Sequence, residues 1–135
     1  MRMPRLVFCC IIEKMADQNS RHESTRKIGD WGEAQASAYL VFPGFEILAQ
    51  NIYTEFGEID LVAQKADWLH FVEVKTKRTK SFGYPEEAVT ERKLRHMTES
   101  AQSYIQAHPE FDTDYQLDVL AIQVDAQGNQ EILYF

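Results

Sequence analysis

The stretch that decides the fold runs from residue 57 to residue 75 and reads GEIDLVAQKADWLHFVEVK. Two apolar segments, Glu58–Ala63 and Trp68–Lys75, flank the polar residues Gln64–Asp67. This pattern predicts two β-strands joined by a tight hairpin. The second strand is apolar on both faces up to residue 74, which is typical of a strand in the middle of a sheet.

The charged residues of this hairpin are expected to meet at one place. A turn centred on Ala66–Asp67 would set Asp60 opposite Glu73 and Glu58 opposite Lys75, with Cβ atoms ~4.5–5.5 Å apart. Opposed carboxylates repel each other, and a divalent cation such as Mg²⁺ removes that repulsion. A lysine beside the cation could orient a water molecule or stabilise developing charge. The plainer interpretation is a solvated cross-strand salt bridge between Glu58 and Lys75.

The remaining segments predict two helices and three further strands around this hairpin. In chain order they are helix Ile28–Val41, strand Phe45–Tyr53, helix Thr90–Ala107 with Thr90 as its N-cap, strand Tyr115–Val124 and strand Glu131–Phe135. The order α-β-β-β-α-β-β predicts an α/β fold with a mixed sheet flanked by helices. Gly29 and Gly32 near the first helix start indicate either a close backbone approach or a frayed first turn, and the frayed turn is the favoured interpretation.

Length and charge exclude several classes of protein. The chain has 135 residues, which suits one compact domain, and 14 basic against 21 acidic side chains give a formal charge of -7. A basic field over the whole protein is therefore excluded, so a polyanion would need a local patch. Cys9 and Cys10 are adjacent and cannot form a disulfide framework, and the cysteines and histidines lack zinc-site spacing.

The first residues differ from the rest of the chain. Residues 1–23 are expected to be a disordered or accessory leader, and residues 24–135 the folded domain, with Met15 as a candidate natural start. The apolar run Leu6–Ile12 is far shorter than the ~20 residues of a membrane-spanning helix. Glu13 follows the run directly and no cleavage site is recognisable, which argues against a signal peptide. We therefore expect a cytoplasmic protein that does not bind membranes.

A positively charged segment begins at Lys75. Between Lys75 and His96 stand seven basic and three acidic residues, although the whole chain is acidic. Lys77, Arg78 and Lys80 are the candidates for contacts with nucleic-acid phosphates. For any single one of these side chains, an ordinary solvated surface position is the simpler interpretation.

Several motifs together resemble those of one known family. They are Gly29-Asp30-Trp31-Gly32-Glu33, Asn51, Gly57-Glu58-Ile59-Asp60-Leu61, Phe71-Val72-Glu73-Val74-Lys75-Thr76-Lys77 and Phe82-Gly83. The chain resembles the YraN family of small bacterial proteins, which have a restriction-endonuclease-like fold and are related to archaeal Holliday-junction resolvases. Asp60, twelve intervening residues and Glu73-Val74-Lys75 are similar to the D-x(n)-(D/E)-x-K signature of that nuclease superfamily.

The resemblance implies a role for each matching residue. The catalytic set would be Asp60, Glu73, Lys75 and Glu33, with Asp60, Glu73 and Glu33 holding Mg²⁺ or Mn²⁺ directly or through water. Glu58 would support this set or pair with a lysine. Lys93, on the second helix, would touch phosphate. Asp118 matches a family aspartate, but Gln116 and Leu117 before it depart from the family pattern.

These observations predict a metal-dependent endonuclease that hydrolyses DNA phosphodiester bonds, with a preference for branched or structured DNA implied by the resemblance. The alternative is a nucleic-acid-binding module of the same fold with little or no turnover. A third interpretation is a protein-interaction role, in which the apolar end Ile132–Phe135 forms a homodimer through the sheet edge. An ordinary core strand explains the same residues more simply.

Overall fold

The computed structural model describes residues 6–7, 21–41, 43–82 and 89–135, with side chains from residue 27 onward within these ranges. The elements are β1 (Leu6–Val7), α1 (Arg21–Val41), β2 (Glu46–Thr54), β3 (Gly57–Lys65), β4 (Trp68–Arg78), α2 (Glu91–Ala107), β5 (Asp114–Val124) and β6 (Asn129–Tyr134). Apart from the short β1, this is the predicted α/β order, and the bounds of β2–β6 lie within three residues of the predicted ones. Most of the predicted leader lies outside the described residues.

The strands form one mixed sheet in the order β1-β6-β5-β4-β3-β2. β4 and β5 pair in parallel, and the other neighbours pair antiparallel. A parallel pair requires a long crossover, which α2 supplies. β5 is buried at every residue from Asp118 to Val124, as predicted for a central strand.

The sheet separates two apolar clusters, one under each helix. Leu40 of α1 packs with Val72 on one face of β4. Tyr104 of α2 packs with Phe71 on the other face of β4. β3 and β4 are therefore clamped between the two helices. Within the described residues, neither helix has an apolar stretch of the length that crossing a membrane requires.

α1 begins at Arg21, seven residues before the predicted start at Ile28. Gly29 and Gly32 therefore lie inside the helix, and the interpretation of Gly32 as part of a frayed turn is wrong. A Cβ atom at Gly32 would lie 2.0 Å from Oγ1 of Thr76 on β4, whereas one at Gly29 would meet nothing within 4 Å. Gly32 thus lets α1 approach β4 closely, one residue before Glu33.

The start of α2 is fixed by the predicted cap. Thr90 has an extended backbone, and its Oγ1 accepts a hydrogen bond from the Lys93 N–H at 3.1 Å. A threonine cap satisfies one of the free N–H groups of the first turn. The cap consequently holds Lys93 in a defined first turn, and α2 itself packs against β3 and β2.

Candidate active site

The candidate site lies where β3 and β4 stop pairing. Their register runs from Lys65–Trp68 to Leu61–Val72 and has the predicted alignment. At the next step, where Asp60 would face Glu73, the structure has a different contact. The Val74 N–H donates to Oδ2 of Asp60 at 2.7 Å. An acidic side chain thus takes the place of a backbone acceptor, and the sheet opens at this point.

The side chains around Asp60 do not alternate as a regular strand requires. Ile59 and Val62 both pack in the cluster under α2, whereas Leu61 packs in the cluster under α1. Regular strand alternation predicts that Ile59 and Leu61 share a face, whereas the structure places them in clusters on opposite faces. Asn51 of β2 lies across from Asp60, between two paired positions, and has a left-handed backbone with φ 50°. Irregularities of this kind are frequent next to active sites, where they redirect a side chain.

Glu73 is the most buried acid of the site, at 5 % exposure. Two ammonium groups contact the same oxygen: Nζ of Lys93 at 2.8 Å and Nζ of Lys75 at 3.1 Å from Oε1. Lys75 is next but one to Glu73 on β4, and Lys93 reaches it from the first turn of α2. The predicted meeting of Glu73 and Lys75 is thus present, with Lys93 as an additional member.

The carboxyl group of Asp60 is offset less completely by its surroundings. Burial, followed by the charge of Glu73, raises the pKa of Asp60 to about 7, against the opposing effects of the Val74 N–H and Lys93. Glu33 adds to the repulsion. A carboxyl group that is this hard to ionise is typical of a site arranged to share charge with a ligand or a partner.

Glu33 joins the site from α1. Partial burial raises the pKa of Glu33, and the charges of Glu58, Asp30 and Glu73 contribute to this rise. The side-chain hydrogen bond from Asn51 acts in the opposite direction. The charges of Glu33, Asp60 and Glu73 therefore act on one another.

Glu58 lies at the rim of this group. It is exposed on β3 and pairs across the ladder with Tyr53 of β2. The predicted alignment of Glu58 with Lys75 is not part of the ladder, and the ion pair that the structure records for Lys75 is with Glu73. A small cavity between the separated strands is lined by Glu58, Ile59, Asp60, Phe71, Val72, Glu73 and Met97.

The acids supply the chemistry of a divalent-cation site without forming a finished cage. Among the described residues, no three His, Cys, Asp or Glu side chains are close enough to enclose an ion. Asp60 and Glu73 nevertheless both line one small cavity, and Mg²⁺ commonly takes one or two carboxylates and fills its other positions with water. Water could also connect Glu33 to such an ion.

The other predicted phosphate contacts lie outside the cavity. Lys77 and Arg78 end β4, Lys80 follows it, and all three are at least partly exposed. Lys77 follows Lys75 at the two-residue spacing that keeps side chains on one face of a strand. These residues extend a basic surface away from the acids, whereas Lys93 lies in the site itself.

A second polar cluster lies on the α1 side of the sheet. Oδ2 of Asp118 is 2.6 Å from Nδ1 of His70 and accepts the hydroxyl of Tyr134, while Oδ1 accepts from Gln116 at 2.7 Å. His70 and Asp118 are both buried. His70 is thus a core histidine whose Nδ1 is satisfied by Asp118. Asp118 belongs to the core and not to the acid cluster.

Asn51 provides a test of the local backbone. A β-carbon in the left-handed region costs ~1–2 kcal/mol, and asparagine tolerates this region better than alanine does. We expect Asn51→Ala to lower the free energy of unfolding by about 1–2 kcal/mol relative to Asn51→Gly, measured by urea unfolding. Neither variant keeps the hydrogen bond to Glu33. Equal stability of the two variants would contradict the left-handed assignment.

Two members of the site were not recognisable by spacing. Asn51 is marked in the sequence only by its place in the family motif, and its hydrogen bond to Glu33 joins β2 to α1. Lys93 was expected at phosphate, and the structure places its ammonium on Glu73. An asparagine between two apolar strand segments is the one local signal for an irregular backbone.

The fold and the site define a small mixed α/β protein with a buried acid–lysine cluster at the opening of its sheet. The model of the family described as "Uncharacterised protein family UPF0102" matches residues 32–122, and the chain belongs to this family. This match confirms the YraN family as the one that the motifs resemble. The chain is 45% identical over 100 residues to a UPF0102 protein of Syntrophomonas wolfei, and the alignment covers 74% of this chain and 87% of that protein. A UPF0102 protein of Caldicellulosiruptor saccharolyticus is 36% identical to the chain over 103 residues, and the alignment covers 76% of this chain and 87% of that protein.

Proposed function

We propose that this chain is a metal-dependent endonuclease of the restriction-endonuclease-like class, which hydrolyses phosphodiester bonds in DNA. The observation that carries the proposal is the pair Asp60 and Glu73 at the sheet opening, with Lys75 on Glu73. Paired carboxylates with a lysine beside them are suited to a metal-assisted attack of water on a phosphodiester. The resemblance of the motif to the D-x(n)-(D/E)-x-K signature supports the same conclusion.

Each side chain has a task in this proposal. Asp60 and Glu73 would hold Mg²⁺ or Mn²⁺, with Glu33 reaching it through water. A bound divalent cation supplies a more acidic water molecule and positive charge for the phosphate. Lys75, whose side chain is 46% exposed, can hold a water molecule or a phosphate oxygen while staying close to Glu73. Lys77, Arg78 and Lys80 would bind the neighbouring phosphates.

The test is cleavage of end-labelled DNA in Mg²⁺, in Mn²⁺ and in EDTA. The substrates are a duplex, a single strand, a flap and a four-way junction of matched sequence. The proposal expects cleavage only with metal, and its extension to branched DNA expects the junction or the flap to be cut fastest. The proposal also implies a protein of the cytoplasm, where such substrates are found. Equal cleavage of all four substrates would remove the extension.

A nucleic-acid-binding module with little turnover is the second candidate. Two observations favour it: both lysines already occupy Oε1 of Glu73, and the described acids do not form a closed cage. This candidate expects tight binding of a junction or single strand with no cleavage in either metal. The same panel of substrates therefore separates the two functions.

The basic surface beyond the site has its own prediction. Changing Lys77, Arg78 and Lys80 together to glutamate should weaken DNA binding by about a hundredfold or more at low salt. The dependence of log affinity on log salt should become shallower by roughly one for each phosphate that the variant no longer binds. Fluorescence anisotropy with a labelled oligonucleotide measures both. A triple variant that exchanges lysine and arginine at these positions keeps the charge and should bind normally, whereas unchanged binding after the reversal would move the interface elsewhere.

A further inference from the structure

The ammonium group of Lys93 is a counterion of Glu73 within the candidate site. The Lys93 ammonium lies 2.8 Å from Oε1 of Glu73, and Lys75 lies 3.1 Å from the same oxygen. Glu73 is buried, whereas the side chains of Lys93 and Lys75 are 33% and 46% exposed. Two partly exposed cations thus neutralise one buried carboxylate.

We propose that Lys93 is an exchangeable counterion: it occupies Glu73 in the metal-free protein, competes there with a divalent cation and, when displaced, binds a phosphate of the nucleic acid. This inference rests on the proposed function, since it concerns the same metal site. The inference goes further than the proposed function in one respect: binding of the metal and binding of the phosphate would each strengthen the other, and the Lys93 side chain would cause this coupling.

Competition follows from the distances. A divalent cation bound to Glu73 would lie ~2.0–2.1 Å from a carboxylate oxygen. An ammonium group that stays within hydrogen-bond distance of that carboxylate is then only a few ångströms from two positive charges. The Glu73 side chain is only 6% exposed, so water screens this repulsion less than it does between surface charges. We therefore expect at least one of the two lysines to move.

Lys93 is better placed to move than Lys75. Lys75 shares β4 with Glu73, two residues away, so the strand itself keeps these two side chains on one face. Lys93 reaches the site from the first turn of α2, where the helix dipole disfavours a cation unless an anion is close. Glu73 is that anion in the present structure. After displacement, a phosphate of the nucleic acid would replace Glu73 as the anion close to this turn.

The first experiment measures metal binding without any reaction. Isothermal titration with Mn²⁺ compares the natural chain with Lys93→Met, which keeps much of the length of the side chain and removes its charge. We expect Lys93→Met to bind Mn²⁺ about tenfold more tightly, in the range of typical coupling between sites. Arg92→Met is the matched control, since it removes a charge from the same turn, and it should change the affinity less than about threefold.

The second experiment measures the coupling. The affinity for a labelled single-stranded oligonucleotide is determined with Ca²⁺ and with EDTA. The natural chain should bind more tightly with Ca²⁺ by about tenfold, and Lys93→Met should lose most of that gain while Arg92→Met keeps it. If Lys93→Met is unfolded, NMR of the lysine ε-methylene groups in the natural chain replaces it, and Mg²⁺ should shift the Lys93 signal.

The outcomes separate this inference from the proposed function. If the natural chain binds no Mn²⁺ at millimolar concentration, the metal site fails and both proposals fall. If the natural chain binds Mn²⁺ and Lys93→Met binds it equally or less tightly, Lys93 is a fixed structural counterion. In that case only the exchange proposal is overturned. Tighter metal binding together with a loss of coupling supports it.

Discussion

Replacing Glu73 by glutamine is expected to reduce metal-dependent DNA cleavage by about a thousandfold or more. The glutamine has the same shape, but it lacks the charge that would hold the cation in the cavity beside Asp60. A metal ion supplies several kcal/mol of transition-state stabilisation, and ~4 kcal/mol corresponds to a factor of about a thousand in rate. Asp60→Asn should have an effect of the same order. Single-turnover cleavage of the preferred substrate from the DNA panel measures both.

The control for this prediction is Glu91→Gln. Glu91 is an exposed acid in the first turn of α2, two residues from Lys93, and it is not part of the acid cluster. It should keep full cleavage activity. Circular dichroism and thermal melting show whether each variant is folded. Cleavage that survives both Glu73→Gln and Asp60→Asn would place the reaction at another site or in another protein.

The core of the fold could be predicted from local patterns. The polar residues between two apolar segments indicated the hairpin, and its two-residue turn set the β3–β4 register correctly from Lys65–Trp68 to Leu61–Val72. Thr90 followed by an acid indicated the start of α2. The start of α1 was missed because residues 21–27 are polar and carry no apolar repeat. Helical periodicity only detects a segment that buries one face.

The site was predicted less completely, for a physical reason. Strict alternation places Asp60 directly opposite Glu73, but the strands separate at that point and Asp60 instead accepts the Val74 N–H. The left-handed Asn51 of the neighbouring strand lies across from Asp60, and α2 brings Lys93 to Glu73. Such contacts join residues far apart in sequence. The residue types were therefore predictable from the motif, whereas the partners of Lys93 and Asn51 required the structure.

The contact between Gly32 and Thr76 predicts the largest effect on stability. A methyl group at Gly32 would lie 2.0 Å from Oγ1 of Thr76, so α1 or β4 must move. Overpacking of this kind typically costs ~1–3 kcal/mol, and we expect Gly32→Ala to lower the free energy of unfolding by that amount. Gly29→Ala is the matched control one turn away. Its methyl group meets nothing within 4 Å, and alanine favours the helix by up to about 1 kcal/mol, so this variant should be stabilised.

A rescue variant identifies the cause of this destabilisation. Thr76→Ala removes the clashing oxygen, and the nearest remaining atom, Cβ of residue 76, would be 3.2 Å from the new methyl group. The double variant should therefore recover most of the stability lost in Gly32→Ala, measured by urea unfolding. Because Glu33 follows Gly32, a displaced α1 also carries Glu33 away from Asp60, and Gly32→Ala should lose cleavage activity even at temperatures where it is fully folded. If Gly32→Ala were as stable as Gly29→Ala, the close approach of α1 to β4, and with it the position of Glu33 in the site, would be wrong.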